Sequence, residues 1–171
     1  MSLQSVREHF RKFNREQDIL EYTQSSATVE EAAIALNVIP ARIAKTLSFK
    51  DKEENAFLVV TAGDAKIDNR KFRDQFGVKA KMLSAEEVVE QTGHVIGGVC
   101  PFGLANNLPV FLDISMKRFL SVFPACGSIN SAIELTCDEL MEYSGALTWV
   151  DVSKDWDGLL KDESHLDVVK K

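Results

Sequence analysis

At 171 residues, with 45% hydrophobic and 27% charged residues, the chain has the size and composition of one soluble globular domain that folds without disulfide or metal staples. Its net charge of −6 argues against a general nucleic-acid binder, and against DNA as a partner, because such proteins displace phosphate counterions with an excess of Lys and Arg. No apolar run approaches the roughly 20 residues of a membrane helix and the N-terminus lacks the apolar core of a secretory signal, so a cytoplasmic location is expected.

In chain order, Leu3, Val6, Phe10 and Phe13 recur at helical spacing, with Arg7, Arg11, Lys12 and Arg15 off the apolar face. Thr28 and Glu31 form a capping box, behind which Val29, Ala32, Ala33 and Leu36 make one helical stripe that Asn37 closes. After a turn at Pro40, Thr46-Leu47-Ser48-Phe49 alternates as a strand, and Ala56 to Thr61 is a second strand apolar enough for burial on both faces. The charged run 51–55 between them reads as a hairpin turn. Ala62-Gly63-Asp64 turns out of the second strand, and Asp68 caps a short helix that carries Phe72 and Phe76 and stops at Gly77. Val78, Ala80 and Met82 alternate as a strand, and Ser84 with Glu87 opens a helix through Val88 and Val89 that Gly93 closes. His94 to Leu108 reads as a loop rich in Gly, Pro and Asn. Val110 to Leu112 (ending in Asp113), Ala132 to Leu135 and Leu147 to Val152 read as strands, and Thr136 with Glu139 is a third capping box. Strands and helices mix without βαβ regularity, which predicts an α+β fold with a mixed sheet and helices packed around it. The expected organisation is one domain over 1–156 and a polar tail over 157–171, read as a weak helix or an unstructured extension.

Chemistry is concentrated at few positions. Cys100, Cys126 and Cys137 are an odd number without paired spacing, no C-x-x-C occurs, and His9, His94 and His165 are scattered, so neither a disulfide framework nor a zinc site is expected. Lys45 stands among the apolar Ile43, Ala44 and Leu47, where an ammonium is either partly desolvated or snorkels to water. Gly97-Gly98-Val99-Cys100-Pro101-Phe102-Gly103 is neither a P-loop nor a dinucleotide fingerprint. Its glycines let backbone N–H groups approach an anion or an ester oxygen; a tight connector is the alternative. Ala125 to Ser131 can floor a pocket, and Cys126 with His94 as base is a conceivable nucleophilic pair. Cys100 has no base nearby in sequence and reads as a wall residue.

These pieces occur in a particular order: Arg42-Ile43-Ala44-Lys45-Thr46-Leu47, Thr61-Ala62-Gly63-Asp64, Gly97 through Leu104, Phe111-Leu112-Asp113, Cys126-Gly127-Ser128, and Ala132-Ile133-Glu134-Leu135-Thr136. In that order they resemble the YbaK/EbsC family, related to the editing insertion of bacterial prolyl-tRNA synthetases, over Ser2 to Val152. The resemblance implies a mixed sheet curled toward a barrel with surrounding helices. It also implies hydrolysis of amino acids from mischarged tRNA, typically tRNA for proline carrying cysteine or alanine, with no metal and no cofactor. It puts the functional lysine at Lys45 and the G-x-x-x-P loop at Gly97 to Pro101, making Lys45, Gly97, Gly98 and Pro101 the catalytic set. Tyr22, Thr46, Val99, Cys100, Phe102, Asp113, Gly127 and Ser128 are the implied substrate contacts.

The implied partners are the acceptor end of a mischarged tRNA and a prolyl-tRNA synthetase that reads the rest of it. Arg42, Lys45, Arg70, Lys71 and Arg73 are candidates for a local basic rim, or ordinary surface charge. Because an aminoacyl ester is already activated, positioning a water or the substrate's own thiol, and holding the developing oxyanion, can supply most of the rate. Two competing readings stay open: a non-catalytic module for tRNA ends or a synthetase, and a thiol hydrolase using Cys126 or Cys100.

Overall fold

The computed structural model describes residues 2–156, and the expected tail over 157–171 lies outside the described residues. In chain order the elements are α1 (Ser2–Arg11), β1 (Leu20–Glu21), α2 (Val29–Leu36), β2 (Ile43–Lys50), β3 (Ala56–Ala62), β4 (Lys66–Ile67), α3 (Asn69–Phe76) and α4 (Ala85–Thr92). They continue as β5 (Val110–Asp113), a 3₁₀ segment Ile114–Arg118, β6 (Phe123–Pro124), β7 (Ser131–Ala132), α5 (Cys137–Ser144), β8 (Thr148–Val150) and β9 (Ser153–Lys154). The main sheet has the order β6-β2-β3-β5-β8 and is mixed: β2 and β3 are antiparallel, the other three pairs parallel. The ribbons β1–β7 and β4–β9 flank it, and the bridges Val122 to Leu135 and Ala125 to Ala132 tie the β6 end to β7. The fold is α+β, as its irregular element order requires.

Local chemistry sets the helix ends. Thr28, Ser84 and Thr136 each accept from the third residue of the helix, whose Glu reaches back to the cap, and Asp68 accepts from Arg70 and Lys71. Asn37, Gly77, Gly93 and Gly145 close the helices in the left-handed conformation. The two faces of β3 bury different clusters, in keeping with a strand that is apolar but for Thr61. Leu58, Val60 and Ala62 face a core shared with Val6, Phe10, Phe102, Met116 and Leu140, whereas Phe57 and Val59 face Phe49 and Phe72.

Three expected strands differ in the structure. Only Met82 of Val78–Met82 bridges to β2, at Phe49; Val78 and Ala80 pack on the outer cluster without ladder bonds. Of Ala132 to Leu135, only Ala132 is in a ladder, and Leu135 makes a single bridge to Val122. Leu147–Val152 yields β8 alone, because Val152 N–H donates to the Asp113 carboxylate instead of continuing the ladder.

Candidate active site

A cavity of about 260 Å³ opens along the edge of β2. β6 pairs with β2 only at Ile43 and Ala44, and the 81–83 segment rejoins it where Leu83 N–H donates to Ser48 and Lys50 N–H to Lys81. Strand backbone groups alternate sides, so Thr46 N–H and C=O point the same way as those of Ser48 and Lys50, into the gap. The loop before α2 (Tyr22, Ser26) and the Val29 and Ala32 face of α2 close one side, and Gly97 and Val99 close another.

Lys45 lies in the wall of this cavity. Its Nζ donates to Ala65 O at 2.6 Å and Gly63 O at 3.4 Å, and among the described residues no carboxylate lies within ion-pair distance. Burial lowers its pKa first; the Asp64 and Glu30 carboxylates pull it back up, and Lys66 opposes them. The two carbonyls keep the ammonium solvated while leaving its third N–H free for a ligand. Next to it, the Thr46 hydroxyl is buried with no hydrogen-bond partner, as is Thr61 across the ladder.

The glycine loop is held tightly. Gly97 has φ +90°, and a Cβ there would stand 2.9 Å from the Ala27 Cβ. A Cβ on Gly98 would meet Ser128 N at 2.6 Å and Gly127 C at 2.7 Å, so this position has no room for a side chain. Gly98 N–H is spent on Val95 O and cannot serve an ester oxygen, whereas Gly97 and Val99 N–H find no acceptor among the described residues.

Of the residues expected at the site, Tyr22, Lys45, Thr46, Gly97 and Val99 line the cavity. Gly98, Gly127 and Ser128 pack behind the loop. Cys100 and Phe102 are wholly buried in the main core, where the Phe102 ring lies tilted against Phe10 with centroids 4.7 Å apart, and neither lines the cavity. Asp113 does not line the cavity. It is fully buried, and its carboxylate accepts from Ser115 N–H, Val152 N–H and Ser153 Oγ, so it holds chain segments together away from the cavity. Of the basic residues offered as a rim or as surface charge, Arg42 is bonded to Ser121 and Glu134, Lys71 to Asp151, and α3 packs on the outer cluster through Phe72.

The cysteines do not form a nucleophilic site. Cys100 Sγ is 3.5 Å from His94 Nε2, a contact the sequence did not reveal, but that nitrogen faces the Phe102 carbonyl at 2.7 Å and must carry the proton. Burial pushes the Cys100 thiol up to about 12, and the Cys126 thiol is raised as well, so neither offers a thiolate. The residues missed in the sequence, Ser26, Val29, Ala32 and Ser48, carried no distinct signal: the stripe on α2 reads as an ordinary core face.

The profile of the aminoacyl-tRNA editing domain family matches residues 23–143, which contain β2, the glycine loop and nearly all of the cavity wall. The chain belongs to this family. It is 61% identical to the uncharacterized protein YwhH of Bacillus subtilis over 157 residues, 92% of this chain and 100% of that one. It is 23% identical over 70% of its length to EbsC of Enterococcus faecalis, described as a candidate Cys-tRNA(Pro)/Cys-tRNA(Cys) deacylase, and covers 74% of it. A proline–tRNA ligase of Sulfurihydrogenibium is 31% identical over 59% of the chain, which spans only 18% of that ligase. The fold superposes with a TM-score of 0.80 on a crystal structure described as a candidate trans-editing enzyme for prolyl-tRNA synthetase, 28% identical, covering 90% of this chain and 98% of the other.

Proposed function

We propose that the protein is an aminoacyl-tRNA deacylase acting in trans, hydrolysing the ester of tRNA for proline that carries cysteine or alanine. The observation that carries this reading is the pairing of an ammonium without a carboxylate partner, Lys45, with two unengaged N–H groups, Gly97 and Val99, in one small cavity. Lys45 anchors an anionic or carbonyl group of the aminoacylated end. Gly97 and Val99 N–H receive the ester oxygen as negative charge develops on it, and the free polar groups of Thr46 orient the amino acid. A water, or for a cysteinyl ester the substrate's own thiol, attacks the carbonyl carbon, the ester C–O bond breaks, and the tRNA hydroxyl leaves with the attacking group's proton; the thiol route releases a cysteine thiolactone that water then opens. The apolar wall of Val29, Ala32, Ile43 and Phe123 suits a small side chain.

The test is a deacylation time course on Cys-tRNA(Pro) and Ala-tRNA(Pro) with the native protein and Lys45→Ala. The native protein clears one ester, and the variant, still folded, is slower by about 10²-fold or more, the scale of losing one charge-stabilising donor. Equal rates in the variant would discard Lys45. No cleavage of either ester would discard this substrate and favour a binding module.

A further inference from the structure

The carbonyls that hold Lys45 belong to the turn 62–65, which is closed on itself at Ala65 and fixed from outside at Ala62, Gly63 and Asp64. Ala62 N–H donates to Ser115 Oγ at 3.0 Å, and Ala65 N–H donates back to Ala62 O. Gly63 sits against the chain at Pro40, where a Cβ would fall 2.1 Å from Pro40 O. The Asp64 carboxylate is gripped by both ends of the Arg118 guanidinium, at 2.6 and 3.0 Å. Arg118 is itself almost fully buried, donates to Ser115 O and Trp156 O, and is stacked between the Phe119 and Trp156 rings. Its backbone is set by the Asp113 carboxylate, which caps the 3₁₀ segment carrying both Ser115 and Arg118.

We infer that Arg118 is a positioning residue for the cavity: it occupies the Asp64 carboxylate, so that the Lys45 ammonium rests on backbone carbonyls and remains available to the substrate. The alternative partner is near, because Asp64 lies between the two residues whose carbonyls Lys45 contacts. A carboxylate freed from a bidentate grip, in a partly buried place, turns to the nearest cation. Besides Asp64, the charged groups among the described residues whose fields reach Lys45 are Glu30 on α2 and Lys66 on β4. This inference rests on the deacylase reading for its effect on catalysis, but not for its effect on Lys45.

The experiment follows the Lys45 side chain by NMR titration in the full-length protein, alongside deacylation kinetics and melting temperature. In Arg118→Met, the Lys45 midpoint rises by about one pH unit, a tenfold change in proton affinity, and kcat/KM falls about tenfold. Adding Asp64→Asn brings the midpoint back to the native value or below it and restores kcat/KM to within a few-fold. Should Arg118→Met fail to fold, Arg118→Lys keeps the charge but loses the two-oxygen fork, and shows the same two changes to a smaller degree. A folded Arg118 variant with a lowered melting temperature and an unmoved Lys45 midpoint would show a merely structural ion pair and overturn the inference. Absence of deacylation by the native protein would sink the deacylase reading, leaving the Lys45 titration to decide this one.

Discussion

The His94 ring donates from Nε2 to the Phe102 carbonyl, leaving Nδ1 to accept from Ser2 Oγ at 2.8 Å. Burial lowers its pKa below the ordinary 6.5, and the half-buried His9 shifts the same way for the same first cause. The unfolded chain therefore takes up protons near pH 6.5 while the folded chain does not, so stability is full above that pH and falls as pH drops through the lowered values. Each histidine contributes a slope of at most about 1.4 kcal/mol per pH unit in that window. Urea unfolding between pH 5 and 8 is expected to show this loss, and His94→Gln to flatten it by roughly half; an unchanged slope would mean that the ring is not neutral in the fold. Residue-level chemistry was the hardest to read from sequence. Cys100, His94 and Asp113 are reactive residue types, yet each is spent on internal bonding, a fact that depends on residues such as Phe102 and Val152 that carry no chemical signal of their own.

At the scale of elements, the ends of helices were legible and the extents of short strands were not. A capping box is complete within four residues, so Thr28/Glu31, Ser84/Glu87 and Thr136/Glu139 needed no tertiary partner to be recognised. A strand requires a neighbour: Val78, Ala80 and Met82 alternate correctly but find one only at Phe49, while β6, with its Phe-Pro sequence, is a strand because Ile43 and Ala44 lie beside it. The β2–β3 ladder holds a further consequence. Thr61 stands opposite Lys45, 1% exposed, with its hydroxyl unpartnered and outside the cavity wall. Valine has nearly the same shape and no group to satisfy, so Thr61→Val is expected to stabilise the fold by about 1 kcal/mol and to leave deacylation within a few-fold of native. Chemical denaturation checks the first part, and a destabilised variant would mean that the hydroxyl has a partner in solution.

For the whole molecule, the charge of −6 limits how a polyanion can be held. The cavity wall offers Lys45 as its cation, while Arg42 and Lys71 are engaged with Glu134 and Asp151. If one or two phosphates at the acceptor end are contacted, log kcat/KM should fall with log salt at a slope of about −1 to −2. A slope near −5, measured between 50 and 200 mM salt, would reveal a much broader tRNA footprint than the cavity alone provides.

The order of motifs, the helix caps, the apolar character of β3 and the family resemblance were all determined by the sequence itself, because each depends on residues close together in the chain or on their succession along it. Which of those residues line the cavity was decided only by the tertiary structure. Lys45 and Gly97 line one cavity because β2 loses its neighbour after Ala44 and the glycine loop is wedged against Gly127 and Ser128. Asp113 and Arg118 act at a distance, through Ser115 and Asp64, on a lysine far away in sequence. No local pattern encodes that chain of contacts; it arises from close packing, which brings together groups far apart in the chain.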